Sequence, residues 1–203
     1  MEDITSKGTF FALKRTGCRI PCEYVVVSGA GQSDEGPGID PWETCAYDLA
    51  LLEAGIENFN VVKYTSVLPP ESREIQMREA EAQGLIHHGA VLECIMAQVD
   101  GNQGQHICAG VGRAQVYEML HLHGERIHIG GFAAEYEGYG SPDLAEKCLT
   151  ESLRGIFQRR YGGKGKLYMD DIQLTTKDLC VDKKYGTALV SLCFLTFITR
   201  EYK

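Results

Sequence analysis

The sequence predicts an α+β fold, a layered αββα-type sandwich of antiparallel sheets with flanking helices. Three observations lead there: several strand-length apolar runs, two segments with helix-start signals and amphipathic spacing, and 23 glycines, which supply turns and sharp strand ends.

In chain order, residues 8–15 and 22–28 read as strands, the second built on Tyr24-Val25-Val26-Val27. A Gly-rich loop is expected over 28–38. Asp40, Pro41 and Glu43 then open a helix as N-cap, first helical residue and capping-box partner. Cys45, Leu49 and Leu52 share one face at helical spacing, and Gly55 closes the helix as a left-handed cap. A short strand, 60–65, runs into Ser66-Val67-Leu68-Pro69-Pro70, where two prolines stop regular pairing. Residues 73–84 are polar and read as irregular or as a short helix. Strands follow at 90–99, 106–117 and 126–137. Ser141-Pro142-Asp143 starts a second helix that runs to Tyr161. Two long strands, 166–178 and 186–200, are joined by a turn at 182–186.

Composition narrows the class. The 203 residues are enough for one domain with a real core, and the apolar and charged fractions, 44% and 24%, are those of a globular protein. A net charge of −8 with scattered basic residues disfavours nucleic acid. The apolar run at 188–198 is too short to span a bilayer, and residues 1–7 carry Glu2 and Asp3 and do not read as a secretory signal. The eight cysteines form no CxxC pair and mostly sit in apolar runs. They read as reduced thiols of a cytoplasmic protein. His87-His88 and His121-Leu122-His123 with His128 invite a metal reading, but no cysteine or carboxylate stands at ligand spacing, so no metal is expected. The loop at 28–38 lacks a Gly-Lys-Ser/Thr ending, and acidic Asp40 and Glu43 open the next helix, which disfavours a phosphate there.

The chemistry concentrates in two segments. One runs from Gly55-Ile56-Glu57-Asn58-Phe59-Asn60-Val61-Val62-Lys63-Tyr64 into Thr65-Ser66-Val67-Leu68-Pro69-Pro70-Glu71, and the other is Gly130-Gly131-Phe132-Ala133-Ala134-Glu135-Tyr136-Glu137-Gly138. A serine hydroxyl in a kinked backbone can attack the carbonyl before it, if the hydroxyl is positioned and the developing oxyanion meets donors. With the preceding helix Tyr47-Asp48-Leu49-Ala50-Leu51-Leu52-Glu53-Ala54-Gly55, these strings resemble the pyruvoyl-dependent arginine decarboxylases.

The resemblance implies a self-cleaving precursor. Cleavage at Thr65-Ser66 would divide the single domain 1–203 into a small subunit, 1–65, and a large one, 66–203, whose Ser66 becomes a covalent pyruvoyl cofactor. Asn60 would assist processing, Asp48 would accept the arginine guanidinium bidentately, and Glu135 would be the proton donor, its pKa raised by burial. Glu137, on the same strand face, carries less weight. The substrate amine would form a Schiff base on the pyruvoyl group, giving agmatine and carbon dioxide from L-arginine. No pyridoxal phosphate is needed. Members of the family assemble as trimers with sites between subunits, which implies a homo-oligomer here. Thr65 stands where some members have a second serine, and the stretches at 73–90 and 115–126 exceed those of the shortest members. The alternatives are a pyruvoyl decarboxylase for another amino acid, and a non-cleaving, non-catalytic oligomeric relative.

Overall fold

A computed structural model describes residues 17–120 and 125–201 of the chain. The strand expected at 8–15, and His121 and His123, lie outside the described residues.

β10 (Tyr185–Phe194) is the centre of the architecture and is buried along nearly its whole length, because it is covered on both faces. It pairs antiparallel with β2 (Glu23–Ser33) on one side and β6 (Val91–Asn102) on the other. Two short strands, β3 (Asn60–Lys63) and β5 (Arg73–Glu74), add parallel to the edges, giving the order β3-β6-β10-β2-β5. This sheet is therefore mixed rather than purely antiparallel. The second sheet is antiparallel throughout, in the order β4-β8-β7-β9, from β4 (Val67–Leu68), β8 (Arg126–Tyr139), β7 (His106–Met119) and β9 (Leu167–Cys180). A ribbon of β1 (Gly17–Pro21) and β11 (Phe197–Glu201) stands apart from both.

The period-two alternation of the strands sorts side chains into three apolar layers. Between the sheets lie Ile95, Ala97, Val190, Leu192 and Phe194 against Ile107, Val111 and Ala133. On the outer face of the mixed sheet, Val25, Leu92 and Leu189 meet α1 (Asp48–Ala54) and α2 (Met77–Ala82). On the outer face of the antiparallel sheet, Ala114, Val116 and Phe132 meet Leu149 and Leu153 of α3 (Pro142–Tyr161). Helix, sheet, sheet, helix is the αββα order.

The second helix has the expected limits. The first begins with a π-helical turn, Glu43–Tyr47, and only then becomes α1. Asp40 caps its start, accepting from the Trp42 and Glu43 amides, and Gly55 ends it at φ +72.

Four expectations are corrected. The 28–38 loop is largely strand, since β2 continues to Ser33. Its glycines serve packing: a Cβ on Gly29 would lie 2.0 Å from the Ala50 carbonyl oxygen, and one on Gly31 2.3 Å from that of Ala46. The helix backbone is thus laid directly on β2, and the buried stripe is Ala46, Ala50 and Ala54. Leu49 and Leu52 of the expected core face are 40% and 55% exposed. Finally, the 182–186 turn joins no hairpin. β9 and β10 belong to different sheets, so the turn carries the chain across the sandwich. The last expected strand is also split, into β10 and β11, at residues 195–196. Among the described residues no helix is long and apolar enough to cross a membrane.

Candidate active site at the strand crossover

The chain changes sheets between Tyr64 and Ser66. Upstream, β3 is held on β6, and one further bond, Tyr64 N–H to the Cys94 carbonyl at 2.6 Å, extends that hold. Downstream, the Ser66 carbonyl accepts from the Ala133 N–H at 3.1 Å, and Val67 and Leu68 pair with Phe132 and Gly131 of β8. The Thr65–Ser66 link therefore spans the two sheets. The Pro-Pro that follows Leu68 keeps β4 to two residues, as the sequence suggested.

The link is bent as well as tethered. The Val67 N–H donates to the Thr65 carbonyl at 3.1 Å, an i to i+2 bond that closes a γ-turn centred on Ser66. The Ser66 hydroxyl, half-buried, lies 2.9 and 3.0 Å from the two carboxylate oxygens of Glu135. Glu135 reaches it because β8 alternates: Phe132 and Ala134 face α3, while Ala133, Glu135 and Glu137 face the opposite sheet. Hydroxyl, carboxylate and a polarised carbonyl thus converge on one peptide link, the arrangement that an intramolecular acyl shift requires.

The other predicted residues are distributed as follows. Asn60 stands at the start of β3, where its side-chain amide donates to the Gly89 carbonyl at 2.9 Å rather than to the Thr65 carbonyl. The donor at that carbonyl is the Val67 backbone, which sequence reasoning missed, since any residue but proline carries such a group. Asp48 is the exposed first residue of α1, on the outer face of the mixed sheet, and makes no contact with Ser66 or Glu135 among the described residues. Glu137 is tied across the sandwich, accepting from the Gln98 N–H at 3.0 Å. Glu135 was expected to be buried by its apolar neighbours and is instead exposed within this chain, because the neighbours Ala133 and Ala134 are buried while the strand emerges from the sandwich at residue 135. A cavity of about 490 Å³, lined by Tyr24, Glu74, Gln115, Tyr117, His128 and Asp171 among others, includes none of the predicted site residues. No cluster of three or more metal-ligating side chains occurs among the described residues.

The sequence model of the pyruvoyl-dependent arginine decarboxylases matches residues 23–199. The chain belongs to this family. Its relatives include the pyruvoyl-dependent arginine decarboxylase AaxB of Chlamydia abortus, 36% identical over 188 residues, which cover 89% of this chain and 94% of that one. AaxB of Chlamydia pneumoniae is 34% identical over 192 residues, 91% and 96% of the two chains. Pyruvoyl-dependent arginine decarboxylase 2 of Archaeoglobus fulgidus is 31% identical over 137 residues, 66% and 76%. Membership makes the chain a decarboxylase whose cofactor is a covalent pyruvoyl group. The residues at the crossover suit that group, since a serine whose hydroxyl is already held by a carboxylate is the side chain from which it can be made.

Proposed function

We propose that the chain is the self-cleaving precursor of an enzyme that converts L-arginine to agmatine and carbon dioxide, with Ser66 the source of the pyruvoyl group. The observation that carries this is the Ser66 hydroxyl seated on both oxygens of Glu135.

Glu135 takes the hydroxyl proton as Oγ bonds to the Thr65 carbonyl carbon, and the Val67 N–H steadies the charge on the carbonyl oxygen. The Thr65–Ser66 C–N bond then breaks, the Ser66 nitrogen takes a proton, and an ester remains. Loss of the Ser66 Cα proton breaks Cβ–Oγ, so that Thr65 leaves with Oγ as a carboxylate and residue 66 is left as dehydroalanine. Water adds, ammonia departs, and the pyruvoyl group heads the 66–203 fragment, with 1–65 as the small subunit. Asn60 serves processing from the start of β3, through the turn that it holds at Gly89.

When present, the pyruvoyl group supplies a carbonyl that condenses with the substrate amine and takes up the electron pair released as carbon dioxide leaves. Glu135 returns a proton to the substrate carbon. Asp48 accepts the guanidinium. Its exposure beside Leu49 and Leu52, and the exposure of Glu135, support a homo-oligomer, a trimer in this family, in which Asp48 of one protomer completes the site of its neighbour. The seven cysteines from Cys22 to Cys193 are free thiols, which suits a reducing cytoplasm.

The test is the intact mass of the purified protein under denaturing conditions, with product analysis. Two fragments divided after residue 65, the larger with a keto acid in place of its first residue, and agmatine from arginine are expected. A single undivided chain would identify a non-cleaving relative. Faster carbon dioxide release from another amino acid would reassign the substrate.

A further inference from the structure

Through the Arg19 side chain the β1–β11 ribbon reaches Tyr64, beside the scissile link. The Arg19 guanidinium lies 4.1 Å from the centroid of the Phe197 ring, forms an ion pair with Glu93, and donates to the Tyr64 hydroxyl at 3.4 Å. Tyr64 immediately precedes Thr65. Its N–H is held by the Cys94 carbonyl, and its ring packs tilted against Phe194, with centroids 6.1 Å apart. Glu93 is the β6 neighbour of Cys94, and its Oε2 is buried without a hydrogen-bond partner among the described residues. Arg19 is therefore the cation that pairs a largely buried carboxylate. The same nitrogen, Nη2, also fixes the last anchored residue before the link.

We infer that Arg19 is a positioning residue for self-processing: through Tyr64 and Glu93 it clamps the upstream side of the Thr65–Ser66 link, so that the Thr65 carbonyl is presented to the Ser66 hydroxyl. An intramolecular attack needs its reacting atoms within about 3.5 Å and aligned, and a misplacement of about 1 Å costs roughly 100-fold in rate. The downstream side is fixed by Glu135 and β8. Of the upstream holds, the backbone bond at Tyr64 sets position along the strand, and the Arg19 contact sets where the side chain, and with it the rotation of residue 64, comes to rest. Arg19 lies upstream of the span that the family model matches, while its partners Tyr64, Glu93 and Phe197 lie within it.

The inference rests on Thr65–Ser66 being a self-cleaving link. The experiment follows the appearance of the 66–203 fragment after cell-free synthesis, in the unsubstituted chain and in the Arg19→Ala, Arg19→Lys and Tyr64→Phe variants and the Arg19→Ala/Tyr64→Phe double variant. Urea midpoints are measured on the same chains carrying Ser66→Ala, which keeps them intact. Arg19→Ala and Tyr64→Phe each slow fragment formation about tenfold, and the double variant is no slower than Arg19→Ala alone, because both remove one clamp. Arg19→Lys, which keeps the charge opposite Glu93, recovers part of the rate. Tyr64→Phe removes a single oxygen and decides the matter if Arg19→Ala fails to fold. Unchanged cleavage in Tyr64→Phe would overturn the clamp and leave the cleavage assignment standing. Slowing that merely tracks a loss of urea midpoint, with additive effects in the double variant, would reduce Arg19 to a stabilising role. An unsubstituted chain that never divides would remove the cleavage assignment itself.

Discussion

The carbonyl of Thr65 accepts a hydrogen bond from the Val67 N–H at 3.1 Å, so the group to be attacked carries its own donor two residues downstream. The turn itself is closed by backbone atoms alone. It forms because residue 64 is bonded to one sheet and residue 66 to the other.

Val67→Pro removes that donor. The neighbouring ladder bond, Ala133 N–H to the Ser66 carbonyl, does not use the Val67 N–H and can persist. One oxyanion donor is worth about 10²–10³ in rate, and cleavage should slow by that order. Val67→Ala keeps the N–H and controls for the side chain, which is 55% exposed. Equal fragment yields from the proline and alanine variants over the same time course would take Val67 out of this role.

Glu135→Gln keeps the shape and removes the base. Because the carboxylate contacts the precursor hydroxyl, we expect cleavage to slow about 10²-fold, and the fraction that does cleave to turn over arginine poorly as well. Fragment formation and turnover per cleaved chain should be measured separately. Normal cleavage with lost turnover would confine Glu135 to returning the substrate proton.

Much of this was legible in the sequence where local chemistry decides the outcome. Pro142 behind Ser141 and Gly55 after Ala54 set helix limits through φ alone, and the structure keeps them. What escaped depends on partners distant in sequence. Gly29 and Gly31 resemble a loop until Ala46 and Ala50 are laid over them, and Leu49 and Leu52 resemble a core face until small alanines prove to be the buried stripe. The sheet change at residues 182–186 is likewise invisible, because a turn between two strands reads the same whether they pair or part. Ser66 and Glu135 were singled out from their strings, but a separation of 69 positions hides that they touch.

Gly31→Ala should destabilise the fold by about 3 kcal/mol, the usual order for overpacking a site that cannot shift. The added carbon would meet the Ala46 carbonyl oxygen at 2.3 Å and the Ala50 nitrogen at 2.6 Å, both backbone atoms of the helical segment. Gly165→Ala, where nothing lies within 4 Å, is the control. Urea midpoints that fall equally in the two variants would mean that the close approach of helix and strand is not needed.

Glu53 links three elements: its carboxylate accepts from the Ala30 N–H at 2.6 Å and from the Lys177 ammonium at 2.7 Å. The Lys177 bond, with the Ala30 bond behind it, holds its pKa below the ordinary glutamate value despite partial burial. A carboxylate depressed on folding contributes stability above its unfolded pKa, and that contribution is lost as pH falls through the folded value. The stability advantage over Glu53→Gln should therefore be present at neutral pH and vanish as acid protonates Glu53. The effect is small because the carboxylate is half exposed. An advantage that grew on acidification would contradict this assignment.

Asp48 sits on the outer face of the mixed sheet while Ser66 bridges the two sheets, and the two make no contact within the chain among the described residues. If Asp48 serves a neighbouring protomer, a chain lacking it can be rescued by one lacking the pyruvoyl source. Asp48→Asn alone should weaken arginine binding, raising KM at least tenfold through loss of a charged acceptor. Ser66→Ala alone should be inactive. Co-expressed in equal amounts, the two variants can form sites that take Ser66 from one chain and Asp48 from the other, roughly a quarter of all sites in a cyclic oligomer. Arginine turnover at low substrate should then rise well above that of either variant. Mixed oligomers no more active than the separate variants would place Asp48 in its own protomer's site, or outside the site altogether.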